Sequence, residues 1–238
     1  MILVTGDTHG DISRFSDKSI KKLKKGDTLI ICGDFGFIWD GSKKEKKTLK
    51  KLGKRKYNVL FVEGIHENFD ELEKYETEEW NGGLTRKISG NLRQLIRGNV
   101  FDLDGKKVFA FGGGTSEEND SYLNLDGVKM LEKWRREIPT EGELKKSDEA
   151  LASCQNTVDF VVSYEPPAQL AEFLSLGKTD RNHINTYLEK IKSEVDFKMW
   201  YFGCNHINKT IPPKYKALFN EVATASKGEK NKKKIKGE

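Results

Sequence analysis

Long apolar runs, cysteines and histidines are all scarce in this chain of 238 residues, and each scarcity narrows the class of protein. No apolar run approaches the roughly 20 residues that cross a bilayer, so we expect no membrane partner. The opening MILVTGD is too short for a signal peptide and is predicted to be a strand. The cysteines, Cys32, Cys154 and Cys204, are odd in number and widely spaced, which argues against a disulfide framework. We therefore expect a cytoplasmic protein.

The basic residues exceed the acidic ones, but much of the excess lies in two segments. Residues 43–56 (KKEKKTLKKLGKRK) place Leu49 and Leu52 on one side of a helix and lysines elsewhere, which is typical of a solvated helix. The tail at 226–238 (SKGEKNKKKIKGE) has no apolar periodicity and is predicted to be disordered. Contact with a nucleic-acid backbone is the alternative for both, so nucleic acid is a weakly supported partner.

Apolar, β-branched runs alternate with amphipathic patterns along the chain, which predicts layers of strands and helices. The principal predicted strands are Ile2–Thr5, Thr28–Cys32, Val59–Glu63, Phe160–Ser163 and Met199–Phe202. The predicted helices are Arg14–Lys25, Lys43–Lys54, Asn68–Tyr75, one that starts near Thr140, and Arg181–Ser193. Shorter strands are predicted around a hairpin at Asp104-Gly105. The fold class is α/β: a single domain over residues 1–225, built as a β-sandwich flanked by helices.

Polar side chains follow the five principal predicted strands at the point where each strand ends. The polar residues concerned are Asp7, His9, Asp34, His66, Glu67, Asn68, Tyr164, Cys204 and His206. The carboxyl ends of strands form the ligand crevice of open α/β sheets, and Asp and His are ligands suited to Mn, Fe or Zn. The glycines at these ends are Gly6, Gly33, Gly64 and Gly203. We expect them to allow sharp turns and to leave room for an ion or substrate. These endings together predict a metal site.

The order of these motifs, GDTHGD, then GDFG, then GIHEN, then a late FGCNH, resembles the calcineurin-like metallophosphoesterases. The match runs from residue 7 to residue 206 and implies the metallophosphoesterase-type sandwich. The resemblance also implies two neighbouring metal ions that act on a phosphoester. It assigns Asp7, His9, Asp34 and His206 to the first ion, and it makes His66 the catalytic residue that approaches the phosphate or the leaving group.

The positions that would serve only the second ion depart from the family pattern. They are occupied by Ile65, Tyr164 and Cys204. Isoleucine cannot bind a metal, and tyrosine, with a free pKa near 10, is a poor ligand for Mn at neutral pH. A recoded site of Asp34, Tyr164 and Cys204 is the alternative, although three anions would share one ion without a fourth ligand. We therefore predict one divalent ion, with Mn favoured and Fe or Zn as alternatives.

Two classes of function follow from this degenerate second site. The first is a phosphoesterase of weakened activity that hydrolyses a phosphomonoester or phosphodiester, with a small molecule or nucleotide as substrate. The second is an inactive binding module that uses the same fold to hold a protein or nucleotide partner. Residues 112–140 are predicted to lie over the site, and Arg135 and Arg136 either contact a phosphate there or lie on an exposed helix face.

Overall fold

The computed structural model describes residues 1–115, 136–175 and 182–225, which form two mixed sheets packed face to face with helices outside. The strands are β1 (Ile2–Thr5), β2 (Thr28–Cys32), β3 (Asn58–Val62), β4 (Thr77–Trp80), β5 (Gly83–Ser89), β6 (Leu92–Leu95), β7 (Asn99–Leu103), β8 (Lys106–Phe111), β9 (Thr157–Ser163), β10 (Asp196–Phe202), β11 (Lys209–Ile211), β12 (Tyr215–Ala217) and β13 (Val222–Thr224). The helices are α1 (Lys18–Lys21), α2 (Lys43–Gly53), α3 (Phe69–Leu72), α4 (Glu141–Ser153), α5 (Ala168–Ser175) and α6 (His183–Glu194).

One layer of buried apolar side chains lies between the two sheets, and a further apolar layer lies between each sheet and the helices that cover it. One sheet has the order β13-β1-β2-β3-β6-β5-β4 and the other the order β11-β12-β10-β9-β8-β7. Val4, Leu60 and Val62 of the first sheet pack with Phe160 and Tyr201 of the second. Strands β1, β2, β3 and β6 run parallel, as do β8, β9, β10 and β12. The predicted α/β sandwich with flanking helices is confirmed.

The central strands are apolar along their whole length because both faces are covered. All five residues of β2 are buried, so the strand shows a continuous apolar run rather than alternation. For this reason the five principal predicted strands are present, although β9 and β10 begin three residues before the predicted starts. Burial on both faces also places the ends of these strands at a sharp boundary between apolar and polar residues.

Two predicted helices are shorter in the structure than their sequence patterns suggest. The predicted helix over 14–25 is divided into a 3₁₀ turn, Ile12–Ser16, and α1. The carboxylate of Asp17 accepts from Ser19 N at 2.6 Å, so this residue starts a new helix instead of continuing the first. The helix predicted over 68–75 is the single turn α3, which Asn68 caps. In contrast, the predicted capping box at Thr140 and Glu143 is present at the start of α4.

A hairpin between β4 and β5 was not predicted, although its signal stands in the sequence. Asn81 and Gly82 link the strands with φ angles of 51° and 88°, and Trp80 pairs with Gly83. Asn-Gly is the preferred pair for a two-residue hairpin because both residues tolerate positive φ. The flanking TEEW and GLTRKIS strands carry many charged residues, so their apolar pattern is weak.

Among residues 1–115, 136–175 and 182–225, no helix combines the length and the apolar character needed to cross a membrane. The predicted disordered tail at 226–238 lies outside the described residues. The single domain over residues 1–225 and the cytoplasmic location stay predictions.

Candidate metal centre

The loops after β1, β2, β3, β9 and β10 meet at one edge of the sandwich. Asp7 and His206, which are 199 positions apart in sequence, approach within 3.2 Å through Oδ2 and Nε2. Tyr164 and Asp34 are joined by a hydrogen bond across 130 positions. Because parallel strands place their carboxyl ends on the same side, five separate loops deliver their polar side chains to one place.

Asp7, His9 and His206 form a cluster with the spacing of metal ligands. The Nε2 atoms of His9 and His206 are 3.1 Å apart, and Asp7 Oδ2 is 3.2 Å from His206 Nε2 and 3.9 Å from His9 Nε2. Ligand atoms held about 2.1 Å from one ion lie roughly 3.0–3.5 Å from one another. Asp7 Oδ2 is also buried without a hydrogen-bond partner. These three residues fit a divalent cation, which would satisfy the orphaned oxygen.

Asp34 and His66 form a second group that shares His9 with the first. His66 Nδ1 lies 2.8 Å from Asp34 Oδ2, and the backbone N–H of His66 donates to Asp34 Oδ1 at 2.8 Å. Ligand atoms of His9, Asp34 and His66 lie within 4.8 Å of one another. The structure therefore brings all five predicted site residues together, with Asp34 grouped most closely with His9 and His66. Their roles stay predictions.

Charge and burial adjust the protonation of this cluster. Burial and the neighbouring charge of Asp34 raise the pKa of Asp7 well above its usual range. Burial lowers the pKa of His9 despite the opposing charge of Asp34, so its imidazole stays neutral and suited to bind a metal. Burial alone would raise the pKa of Asp34, but hydrogen bonds from His66 outweigh it and lower that pKa. The pKa values of the two buried carboxyl groups are therefore shifted in opposite directions.

Four site residues other than glycine have left-handed backbone conformations. The φ angles are 46° for His9, 40° for Asp34, 51° for Cys204 and 49° for His206. Such conformations are uncommon outside glycine, and they accumulate at sites where the surrounding structure enforces them. The strand-end turns are therefore held in strained conformations that direct these side chains into one cluster.

Gly64 and Gly203, two of the four strand-end glycines, lie directly against buried carboxylates, whereas Gly33 lies against the Tyr164 ring. A Cβ atom at Gly64 would lie 2.1 Å from Asp34 Oδ1, and one at Gly203 would lie 2.2 Å from Asp7 Oδ1. Asp7 and Asp34 are each fully buried. Any side chain at Gly64 or Gly203 would displace the carboxylate on which the cluster is built.

The residues at the three predicted second-ion positions form an apolar and neutral side of the cluster. Tyr164 is 4% exposed and its hydroxyl donates to Asp34 Oδ2 at 2.9 Å. Burial raises the pKa of the Cys204 thiol well above its usual range, with the charge of Glu165 adding to the effect. The Ile65 side chain lies beside Tyr164, facing Gly114. The hydroxyl and the thiol are therefore protonated in this setting.

Two residues outside the predicted site set support the cluster: Arg14, which sequence reasoning missed, and Glu67, which it named only as a polar residue at a strand end. Arg14 donates to the backbone carbonyls of Asp7, at 2.7 Å, and of Phe219, which fixes the loop that carries Asp7. Glu67 is fully buried and accepts from the backbone N–H of Phe35 at 2.7 Å, next to Asp34. Arg14 had no signal in the sequence, whereas Glu67 adjoins His66 in the same motif.

The segment predicted to lie over the site is described only at its two ends. Residues 116–135, including Arg135, lie outside the described residues. Arg136 donates to Asp70 Oδ1 at 2.8 Å and to Glu73 Oε2 at 3.3 Å. Its guanidinium is thus engaged by carboxylates of α3 and the residue that follows it, and no phosphate contact is needed to explain its position.

We expect Gly33→Ala to destabilise the protein more than Gly26→Ala does. Both glycines have positive φ, 105° and 88°, but a Cβ at Gly33 would lie 2.0 Å from the Tyr164 ring whereas one at Gly26 meets nothing within 4 Å. Gly26→Ala reports the conformational strain alone, about 1 kcal/mol. Overpacking against Tyr164 adds roughly 1–2 kcal/mol for Gly33→Ala. Urea unfolding of both ion-free variants measures the difference, and equal midpoints would contradict the close packing of the Tyr164 ring against Gly33.

Comparison with known proteins gives a family match. The family model described as calcineurin-like phosphoesterase matches residues 1–207. No curated protein matches the chain. The crystal structure of AQ665, a protein of unknown function from Aquifex aeolicus, is similar with a TM-score of 0.32 and 11% sequence identity, over 83% of this chain and 88% of that one.

Proposed function

This chain belongs to the calcineurin-like phosphoesterase family, and we propose that it is a one-ion phosphoesterase that hydrolyses a phosphomonoester or phosphodiester with weakened activity. The observation that carries the proposal is the convergence of Asp7, His9 and His206, in which Asp7 Oδ2 is buried without a hydrogen-bond partner. Family membership implies dependence on a divalent metal. Mn is our first choice, with Fe or Zn as alternatives, because the donor set combines imidazole and carboxylate.

Asp7, His9 and His206 would hold the ion, with Asp34 as the fourth member of the set. When bound, a divalent ion lowers the pKa of water and neutralises phosphate charge. The protein itself supplies orientation. Asp34 is fully buried, and its carboxylate hydrogen-bonds both the backbone N–H and Nδ1 of His66. The His66 side chain is nevertheless 54% exposed. His66 is thus fixed at its base and presented to solvent, where it can bind a phosphate oxygen or protonate the leaving oxygen.

We expect weakened activity because of the residues at the three predicted second-ion positions, Tyr164, Cys204 and Ile65. A neutral tyrosine, a neutral thiol and an isoleucine stand there, and none of them offers a good ligand for a hard divalent ion. A single ion leaves one of the two reacting oxygens without a cation, and each such electrostatic contribution is worth roughly 3–4 kcal/mol. We therefore place the substrate among activated phosphoesters, as a small molecule or a nucleotide.

The same observation favours a second candidate, an inactive binding module. In it, the ion and the exposed His66 bind the phosphate of a nucleotide or protein partner without turning it over. The two candidates share the ion site and differ in turnover, so one set of variants can separate them.

We expect about one Mn per chain in metal-loaded protein, and at least 100-fold weaker binding, about 2.7 kcal/mol, in His206→Ala. His183→Ala is the matched control, because His183 is exposed at the start of α6 and belongs to neither group of candidate ligands. Elemental analysis and calorimetry count the ions and measure the affinity. Hydrolysis of p-nitrophenyl phosphate and its bis ester is followed in the same samples.

Activity that falls with ion binding in His206→Ala, and persists in His183→Ala, supports the phosphoesterase. One ion without hydrolysis of either ester favours the binding module. Wild-type protein that binds no Mn, Fe or Zn would remove the basis of both candidates.

A further inference from the structure

The Tyr164 hydroxyl donates a hydrogen bond to a carboxylate of the candidate metal centre. Tyr164 follows β9 directly, and its hydroxyl lies 2.9 Å from Asp34 Oδ2. The side chain is 4% exposed, and Asp34 is fully buried. Because both side chains are buried, water has little access to the Tyr164 hydroxyl and does not compete with Asp34 for its hydrogen bond.

The Tyr164 ring occupies a slot that exists because two neighbouring residues lack side chains. A Cβ at Gly33 would lie 2.0 Å from a ring carbon, and a Cβ at Gly114 would lie 2.9 Å from another. The same Cβ at Gly114 would lie 2.7 Å from the Ile65 side chain, so Ile65 borders the slot. Packing on these sides limits the rotamers of the tyrosine and directs its hydroxyl at Asp34.

The hydroxyl completes the hydrogen bonding of Asp34. Oδ1 accepts from the backbone N–H of His66, and Oδ2 accepts from both His66 Nδ1 and the Tyr164 hydroxyl. A carboxylate oxygen accepts, so the phenol hydroxyl is the donor of this hydrogen bond. A donor on Oδ2 orients the carboxylate, and it takes the position from which a further cation would approach that oxygen.

We propose that Tyr164 is a positioning residue: its hydroxyl orients Asp34 toward the single ion and His66, and it closes the opposite face of Asp34 to another cation. This inference rests on the proposed ion site and adds a role for a residue that does not itself bind the ion. Partners that hydrogen-bond a metal-binding carboxylate typically change metal affinity 10–100-fold when removed. A residue that only fills space would change stability and leave affinity as it was.

Tyr164→Phe tests the proposal, with Tyr187→Phe as the matched control. Tyr187 is another buried tyrosine, and its hydroxyl bonds Ser147 Oγ at 2.8 Å and Asp148 Oδ1 at 2.9 Å, beside α4. We expect calorimetry to show about 10-fold weaker Mn binding in Tyr164→Phe at one ion per chain. Tyr187→Phe is expected to lose stability yet keep wild-type affinity.

A second measurement uses ion-free protein, so that it does not depend on the proposed function. The Asp34 carboxylate only accepts, so His66 Nδ1 donates to Oδ2 and carries a proton that NMR can observe. We expect this proton signal to shift in Tyr164→Phe and to remain in place in Tyr187→Phe. If the His66 proton signal shifts in Tyr164→Phe but the wild-type protein cannot bind an ion, the positioning role is retained and the proposed ion site is refuted.

Three results would overturn the proposal. The first is wild-type Mn affinity and an unmoved His66 signal in Tyr164→Phe, because the hydroxyl would then have no effect through Asp34. The second is a phenolate-to-metal charge-transfer band in wild-type protein loaded with Fe(III) and absent in Tyr164→Phe. That band would make Tyr164 a ligand. The third is binding of two ions by the wild-type protein.

Discussion

Asp7→Asn is expected to stabilise the ion-free protein and to abolish its stabilisation by Mn. Asp7 is fully buried, its Oδ2 atom has no hydrogen-bond partner, and burial next to Asp34 raises its pKa. Asparagine removes the charge while keeping the shape. We expect the ion-free variant to gain about 1–2 kcal/mol, or roughly 2–8 °C in melting temperature for a domain of this size. Mn affinity should fall roughly 1,000-fold, which is about 4 kcal/mol.

The pH dependence of this effect has a definite sign. A carboxyl whose pKa is higher in the folded state than in the unfolded state holds its proton more tightly when folded. The ion-free wild type should therefore lose stability as pH rises from about 4 through the raised pKa of Asp7. Asp7→Asn removes this loss, so the gap between variant and wild type should widen with pH across that window.

Thermal unfolding of both proteins, with and without Mn at several pH values, measures these differences. His183→Ala again serves as a control that should follow the wild type. An ion-free Asp7→Asn variant that is less stable than the wild type at neutral pH would show that the orphaned oxygen is satisfied in another way, and the metal centre would lose its main support.

Arg97→Met is expected to cause the largest loss of stability, about 3–5 kcal/mol. Arg97 and Glu63 are 7% and 2% exposed, and Nε lies 2.6 Å from Oε1. The arginine also donates to the backbone carbonyls of Arg136 and Glu137, at 2.7 and 3.1 Å. Methionine would leave the Glu63 carboxylate buried, with the amide of Gln94, at 2.8 Å, as its remaining donor among the residues that the structure describes. Glu63 immediately precedes the loop that carries His66, so the site should also loosen.

Two further variants separate the charge effect from lost packing. Glu63→Gln combined with Arg97→Met should recover much of the stability, because no uncompensated charge then remains. Arg93→Met removes a similar pair with Glu78 at 2.8 Å, but Glu78 is 30% exposed, so we expect a loss of only about 1 kcal/mol. Urea unfolding midpoints measure all three. A loss for Arg97→Met no larger than that for Arg93→Met would contradict the buried pair as an anchor.

The sequence by itself determined the doubly covered strands and the polar residues that end them. Runs such as TLIIC are apolar throughout because both faces are buried, and the adjoining glycine and aspartate end the run where the polar site begins. A pattern of this kind can be identified from the sequence of one strand, whichever strands pair with it. Asp7, His9, Asp34, His66 and His206 were found as candidates for that reason. The pattern of strands and helices predicted a sandwich, and the family resemblance, carried by the same motifs, implied its metallophosphoesterase type.

Only the tertiary structure decided which atoms meet at the strand ends. The bond from Tyr164 to Asp34 depends on the slot at Gly33 and Gly114, and the close approach of Asp7 to Gly203 depends on how the two sheets pack. Sequence predicted sharp turns at Gly33 and Gly203, and only the structure shows that Gly33 lies against the Tyr164 ring and Gly203 against Asp7. Contacts of this kind arise between residues far apart in sequence. Their geometry follows from strand order, register and packing, which no local pattern encodes.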